Sequence, residues 1–267
     1  MRPLECGHPR ARTIPLPLPT DPIFYALAVP AVLISAIAKG GFAGASGNVL
    51  VPLMALAIPA PQAAAIGLLL LCAMDLSGLR AWWGQWDRRE MRVLIPGGLC
   101  GVVLGALLFG LLSPRAIMGL IGVITLCFLA YRAWAGRRGL PPPSPHSVPR
   151  GFLAATAAGV TSTLAHAGGP PLQMYLLPRR LPRAAFAATN LAFFGLLNYV
   201  KLVPYAALGM FDASVLLTAA LLLPLCPAGV YLGVWLQRRL SDQLFYRIVQ
   251  AALLLTGVKL VWDGFFA

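Results

Sequence analysis

The chain has 267 residues, 59% hydrophobic and 11% charged, with a mean hydropathy of +0.78 and a net charge of +13 from 21 Lys and Arg against 8 Asp and Glu. So few charges cannot cover the surface of a soluble domain this long, so the composition implies the bilayer as solvent. The positive balance does not point to nucleic acid, because the basic residues fall in short breaks between apolar runs and not in a stripe interleaved with aromatics.

In chain order, residues 1–22 contain "RTIPLPLPT" (12–20), whose prolines forbid a helical secretion signal, and read as a disordered tail. A first long apolar region, 23–58, is interrupted by "KGGFAGASGNVLVP" (39–52). Apolar runs follow at 64–83, 93–112 and 115–134. The linker "GRRGLPPPSPHSVPR" (136–150) is too rich in Pro and Arg for a span and is placed in the cytoplasm. The next region, 151–177, is broken by "TSTLAHAGGPP" (161–171), and runs at 186–208, 213–236 and 244–262 complete the chain. With about 20 helical residues per crossing, the expected fold is an all-α polytopic membrane protein with about eight hydrophobic segments. Its repeats would be 23–135 and 151–263, the first segment of each broken by a Gly-rich stretch. Cys6 lies in the tail, while Cys72, Cys100, Cys127 and Cys226 read as small buried apolar side chains, with no zinc spacing.

The two halves are copies. "PGGLCGVVLG" (96–105) and "PLCPAGVYLG" (224–233) share P-x4-G-x3-G at an offset of 128, which Ser113/Ser241 and Trp134/Trp262 keep; "GQWD" (84–87) and "GMFD" (209–212) match at 125, and the glycine breaks at about 122. The G-x3-G pairs Gly101/Gly105 and Gly229/Gly233 read as close-packing faces, and Trp82, Trp83 and Trp86 as an interfacial belt. Basic residues put loops 84–92, 132–150, 178–183 and 237–242 on the cytoplasmic side, leaving 58–63, 113–115 and 209–212 opposite. Corresponding loops then lie on opposite faces, as in an inverted repeat. Because both 132–150 and 178–183 are cytoplasmic in this reading, residues 151–177 are expected to double back as a hairpin, with an ordinary kinked span as the alternative.

Broken backbone inside a bilayer must be satisfied by protein or by a wet cavity. Two breaks at equivalent places would face one cavity, with helix N-termini aiming N–H groups at an anion. Gly44, Ser46, Gly47 and Asn48 line the first break, and Thr163, His166, Gly168 and Gly169 the second. Lys39, Lys201 and Asn198 add donors, with snorkelling to an interface as the rival for the lysines and a structural role the rival for His166. Thr189 and Asn190 fit either oxyanion binding or helix contact. Asp75, a lone acid within its span, fits a coupling group, or a partner of Arg80 or another cation.

The sequence resembles the TauE/SafE family of sulfite and organosulfonate exporters. The resemblance rests on "GFAGASGNVLVPLMAL" (41–56), "AGVTSTLAHAGGPPLQMYLL" (158–177), "LPRAAFAATN" (181–190), "NYVKLVPYAALGMFD" (198–212) and the P-x4-G-x3-G runs, and it covers about 23–263. It implies a multi-pass permease of the bacterial plasma membrane, without cofactor or catalytic residue. Such a permease exports a small anion such as sulfite or sulfoacetate by alternating access between the two breaks. The partners implied are that anion and the lipid bilayer; a homodimer is compatible with the size. Departures fall in the glycine triplets, with Ser46, Asn48, His166 and Pro170 where glycines are expected. Two alternatives were weighed. "GASG" (44–47) and "AHAGG" (165–169) look like the motifs of rhomboid intramembrane proteases, with a Ser46/His166 dyad, but their separation and the duplication are foreign to that fold. A non-transporting scaffold leaves the paired breaks unexplained.

Overall fold

Backbone in a long apolar run satisfies its own polar groups only as helix or closed barrel, and the computed structural model is helical at each expected segment. It describes residues 22–42, 50–108, 114–137, 144–166 and 168–266. The first broken region gives α1 (Pro22–Gly41) and α2 (Leu50–Met54), followed by α3 (Ala60–Ala81), α4 (Arg88–Leu107) and α5 (Pro114–Arg137). The second gives α6 (Val148–Ala165) and α7 (Gly169–Leu176), a 3-10 turn at Leu177–Arg179, then α8 (Arg183–Ala207), α9 (Ala213–Leu222), α10 (Leu225–Arg239) and α11 (Asp242–Phe265). Among the described residues, α1, α4, α8 and residues Gln62–Ala81 of α3 are long and apolar enough to cross a membrane. The α9–α10 pair, bent by 41°, makes a fifth candidate span.

The motif pairs adopt the same local structure in both halves. Gly84 and Gly209 take positive φ, +73° and +66°, where a side chain is strained. Three residues later Asp87 caps α4, accepting from Arg89 N at 2.8 Å, and Asp212 caps α9, accepting from Val215 N at 2.8 Å.

Packing crosses between the halves reciprocally. α4 lies along α6, and α10 along α1. A Cβ on Gly101 would sit 2.2 Å from Thr156 O, and one on Gly233 would sit 2.2 Å from Ile37 O. Only glycine permits either backbone approach, which is the close packing expected of the G-x3-G pairs. α3 packs on α8, and α5 on α11.

The loops sort by charge. Asp87 N donates to Thr189 Oγ1 at 2.9 Å, Arg179 Nη1 donates to Ser144 O at 2.7 Å, and Arg183 Nη1 donates to the carbonyls of Gln237 (3.2 Å) and Leu240. These contacts tie 132–150 and 237–242 to the chain around 178–183, and 84–92 to the second turn of α8 that follows it. Elsewhere Gln62 Nε2 donates to Ser214 Oγ at 3.2 Å, joining the first turns of α3 and α9, which follow two stretches without basic residues. The second broken region doubles back, since Ser144 N donates to Pro178 O at 3.0 Å and Tyr175 OH donates to Ser147 O at 3.4 Å. Glu90 of α4, fully buried, pins that return: it accepts from Tyr175 OH (2.7 Å) and Arg179 Nη2 (2.5 Å) and lies 3.1 Å from His146 Nδ1.

Two expectations need correcting. Trp83 is exposed, but Trp82 is buried and donates through Nε1 to Gly40 O at 2.8 Å, so it is an internal strut and not part of a belt. Cys72 and Cys226 are buried as expected, whereas Cys100 and Cys127 lie on outward faces of their helices.

Candidate functional site

The second break begins where α6 ends. His166 takes a left-handed conformation (φ 50°) and its N–H bonds Thr161 O, a C-cap that glycine normally fills. Gly168 is required by packing: a Cβ there would lie 2.6 Å from Ala158 O and 2.7 Å from Phe194 Cε1. α7 then opens Gly169-Pro170-Pro171-Leu172, so in its first turn only Gly169 and Leu172 carry an N–H. The expected cradle of exposed amides is therefore reduced on this side, because two prolines remove the donors that a helix N-terminus would offer. Gly44, Ser46, Gly47 and Asn48 of the first break lie outside the described residues.

Side chains, by contrast, converge. Lys39 at the end of α1 reaches Asp75 of α3, Nζ to Oδ1 2.8 Å, and touches Leu71 O at 3.4 Å. Asp75 is fully buried and accepts through Oδ2 from Asn198 Nδ2 of α8 at 2.8 Å. The close approach of α3 and α8 depends on Gly195, where a Cβ would lie 3.3 Å from Asp75 Cβ. Arg80 is not the partner of Asp75; Lys39 is. One turn beyond Asn198, Lys201 is also fully buried and donates to Ser162 O (3.3 Å) and Ser162 Oγ (3.0 Å) on α6. One turn further on both helices, His166 Nε2 lies 3.0 Å from Tyr205 OH. His166 Nδ1 is buried and has no partner among the described residues. The α6–α8 contact thus repeats at i and i+4 on each helix, the spacing that stacks side chains on one face.

Asp75 and Asn198, hydrogen-bonded to each other, are 123 residues apart, and so are Lys39 and Ser162. That offset falls between those of the breaks and of the G-x2-D marks. The contact therefore joins two pairs of positions at one spacing, Lys39 and Asp75 on one side, Ser162 and Asn198 on the other.

Three expected residues point elsewhere. Thr163 donates to Gly159 O (2.9 Å) in its own helix and packs toward Gly105 of α4. Thr189 accepts from Asp87 N near the start of α4. Asn190 donates to Phe186 O (2.9 Å) and accepts from Gln173 Nε2 at 3.3 Å. The sequence reading missed Ser162, Tyr205 and Trp82. Ser162 precedes His166 by four residues and Tyr205 follows Lys201 by four, so helical spacing around those two residues was the available signal.

The cluster holds two lysines and one carboxylate. Charges taken out of water are costly unless neutralised. Lys39 has its counter-ion, and the hydrogen bonds of Lys201 go to neutral oxygens. With both lysines protonated, the cluster carries one excess positive charge between α3, α6 and α8. Such an arrangement attracts a small anion and repels a cation.

A family model described as sulfite exporter TauE/SafE matches residues 28–260. No curated protein and no solved structure matches the chain.

Proposed function

The chain belongs to the TauE/SafE family, and on that premise we propose that it moves a small oxyanion of the sulfite or organosulfonate class through the Lys39–Asp75–Asn198–Lys201 cluster. Proteins of this family are multi-pass membrane transporters and not enzymes. The observation that carries the assignment of the site is Lys201, wholly buried and, among the described residues, bonded to the neutral oxygens of Ser162.

Charge arithmetic gives the mechanism its form. The empty cluster is positive by one, and a monoanion bound beside Lys201 makes it neutral. A neutral loaded state crosses a low-dielectric interior at far lower cost than a charged one. A dianion leaves one negative charge over, so it moves with a proton held on Asp75 or on His166 Nδ1. Asp75 is in this reading the coupling group: it neutralises Lys39 when the site is empty and competes with the substrate for it. Ser162 and Asn198 orient the bound oxygens.

The halves 23–135 and 151–263 are read as inverted repeats that rock about the α3–α8 contact. Reciprocal packing of α4 on α6 and α10 on α1 supports this, since each half lends its broken hairpin to the other. The sorting of basic and uncharged loops supports the same sidedness.

The test is flux of sulfite, thiosulfate and sulfoacetate in proteoliposomes containing wild type, Lys201→Gln or His166→Ala protein. Lys201→Gln is expected to lower flux at least about tenfold, the effect of losing one buried charge contact of about 1.4 kcal/mol or more. His166→Ala is expected to slow dianions more than monoanions. Wild-type flux in Lys201→Gln would remove the cluster from the pathway.

A further inference from the structure

At the end of the molecule that carries the basic loops there is a cavity of about 520 Å³ lined by Trp82, Gln85, Pro182, Arg183, Gln237 and Arg238, together with Ala184. It is built from the turn before α4, the start of α8 and the last turn of α10. Its ionisable lining is two arginines, with no acid among the lining residues. Arg183 is held in place by the last carbonyls of α10, which its guanidinium binds at Gln237 and Leu240. The Arg238 guanidinium carbon sits 5.7 Å from the centroid of the Trp82 ring. The position of Trp82 sets this cavity apart from a mere surface dent. Its ring lines the cavity while its Nε1 donates to Gly40 O at 2.8 Å, one residue after Lys39. Gly40 is locked against α10, where a Cβ would fall 2.3 Å from Val230 O. A buried indole thus links the arginine-lined mouth to the backbone beside Lys39.

We propose that this cavity is a second anion site, a loading vestibule that concentrates small oxyanions at the loop end and passes them beside Trp82 to Lys39. The proposal rests on the carrier reading above and extends it outward from the buried cluster. Two guanidiniums in a concave, acid-free mouth raise the local anion concentration and speed capture, an effect that salt screens. Trp82 supplies a hydrogen-bonded partition whose movement opens the way to Lys39 without disturbing the glycine contacts of α1 with α10. The same chemistry would suit the phosphate of an anionic lipid, and the test separates the two.

Two arms are needed. In the first, sulfite uptake is measured in phosphatidylcholine liposomes with wild type, Arg238→Gln, Arg238→Lys and Trp82→Phe protein. Arg238→Gln is expected to raise KM about 3- to 10-fold at low salt with kcat unchanged, the difference shrinking at high salt. Arg238→Lys keeps the charge and restores most of the KM. Trp82→Phe, which loses the N–H bond to Gly40, changes kcat and leaves KM close to wild type. An unchanged KM in Arg238→Gln overturns the proposal. So does an effect that appears only when phosphatidylglycerol is added, which would make the cavity a lipid site. In the second arm, thiosulfate binding is measured by calorimetry on Lys201→Gln protein, whose inner site is disabled. Weak residual binding that disappears in Lys201→Gln/Arg238→Gln protein supports the vestibule, and absence of residual binding overturns it. If wild type moves no anion yet the Arg238-dependent binding persists, the carrier reading fails while the second site stands.

Discussion

Replacing Asp75 by Asn isolates the electrostatics of the cluster, because the side chain keeps its shape and its place beside Asn198 while its charge is lost. In the native protein Asp75 is fully buried, with Lys39 Nζ at 2.8 Å and Asn198 Nδ2 at 2.8 Å. At that separation the Coulomb attraction is about 6 kcal/mol at an effective dielectric of about 20. Part of it is offset by the desolvation of both groups, and breaking a buried pair from one side typically costs about 3–5 kcal/mol. Among the described residues, Lys39 would keep the 3.4 Å contact to Leu71 O. Lys39→Met should cost a similar amount, since it strands the carboxylate. The double variant Lys39→Met/Asp75→Asn removes both charges and should lie far closer to wild type, giving a coupling energy of about 3 kcal/mol. Equilibrium unfolding of the detergent-solubilised protein, followed by tryptophan fluorescence, measures all three. Sulfite should stabilise Asp75→Asn more than wild type, because the anion then serves as the missing counter-ion of Lys39. Single effects that simply add to the double, within about 0.5 kcal/mol, would refute the pairing and with it the competition proposed between Asp75 and substrate.

Two further outcomes follow from packing. Gly101→Ala and Gly233→Ala each press a methyl to 2.2 Å from a backbone carbonyl, of Thr156 and Ile37 respectively. Both should lower stability by about 1–3 kcal/mol or more, read as a fall in the thermal midpoint, because neither neighbour can swing aside. Glu90→Gln frees Arg179, His146 and Tyr175 from their shared carboxylate. Cleavage by trypsin after Arg179 and Arg180 should then quicken at least about tenfold, the ratio set by about 1.4 kcal/mol of lost local protection. Unchanged cleavage would show that Glu90 does not hold the hairpin shut.

Much of the architecture was legible because its signals are local. A helix is obligatory for an apolar run in lipid, so the order of elements followed from hydropathy. The Gly84 and Gly209 turns and their aspartate caps are visible as a repeated G-x2-D. That 151–177 doubles back was one of two readings open from charge, since arginines flank it on both sides, and the bond of Ser144 N to Pro178 O brings its ends together. Less of the site was legible. Lys39, Asp75, Asn198, Lys201 and His166 stand out as polar residues in apolar surroundings, but composition cannot say which of them touch. Thr163, Thr189 and Asn190 looked equally good and turned to other partners. Trp82 looked like its neighbour Trp83 and proved to be buried.

By itself, then, the amino-acid order settled the solvent and the helical class and marked the places where helices stop, all of which follow from hydropathy and from the backbone geometry of glycine and proline. It also singled out the ionisable side chains that lipid would penalise. Only the packed molecule decided that the hairpin of one half lies against the other half, because glycine faces specify a close approach without naming the partner. It alone paired Lys39 with Asp75, across 36 positions in the chain, and so left Lys201 as the buried lysine on which the proposed anion site rests.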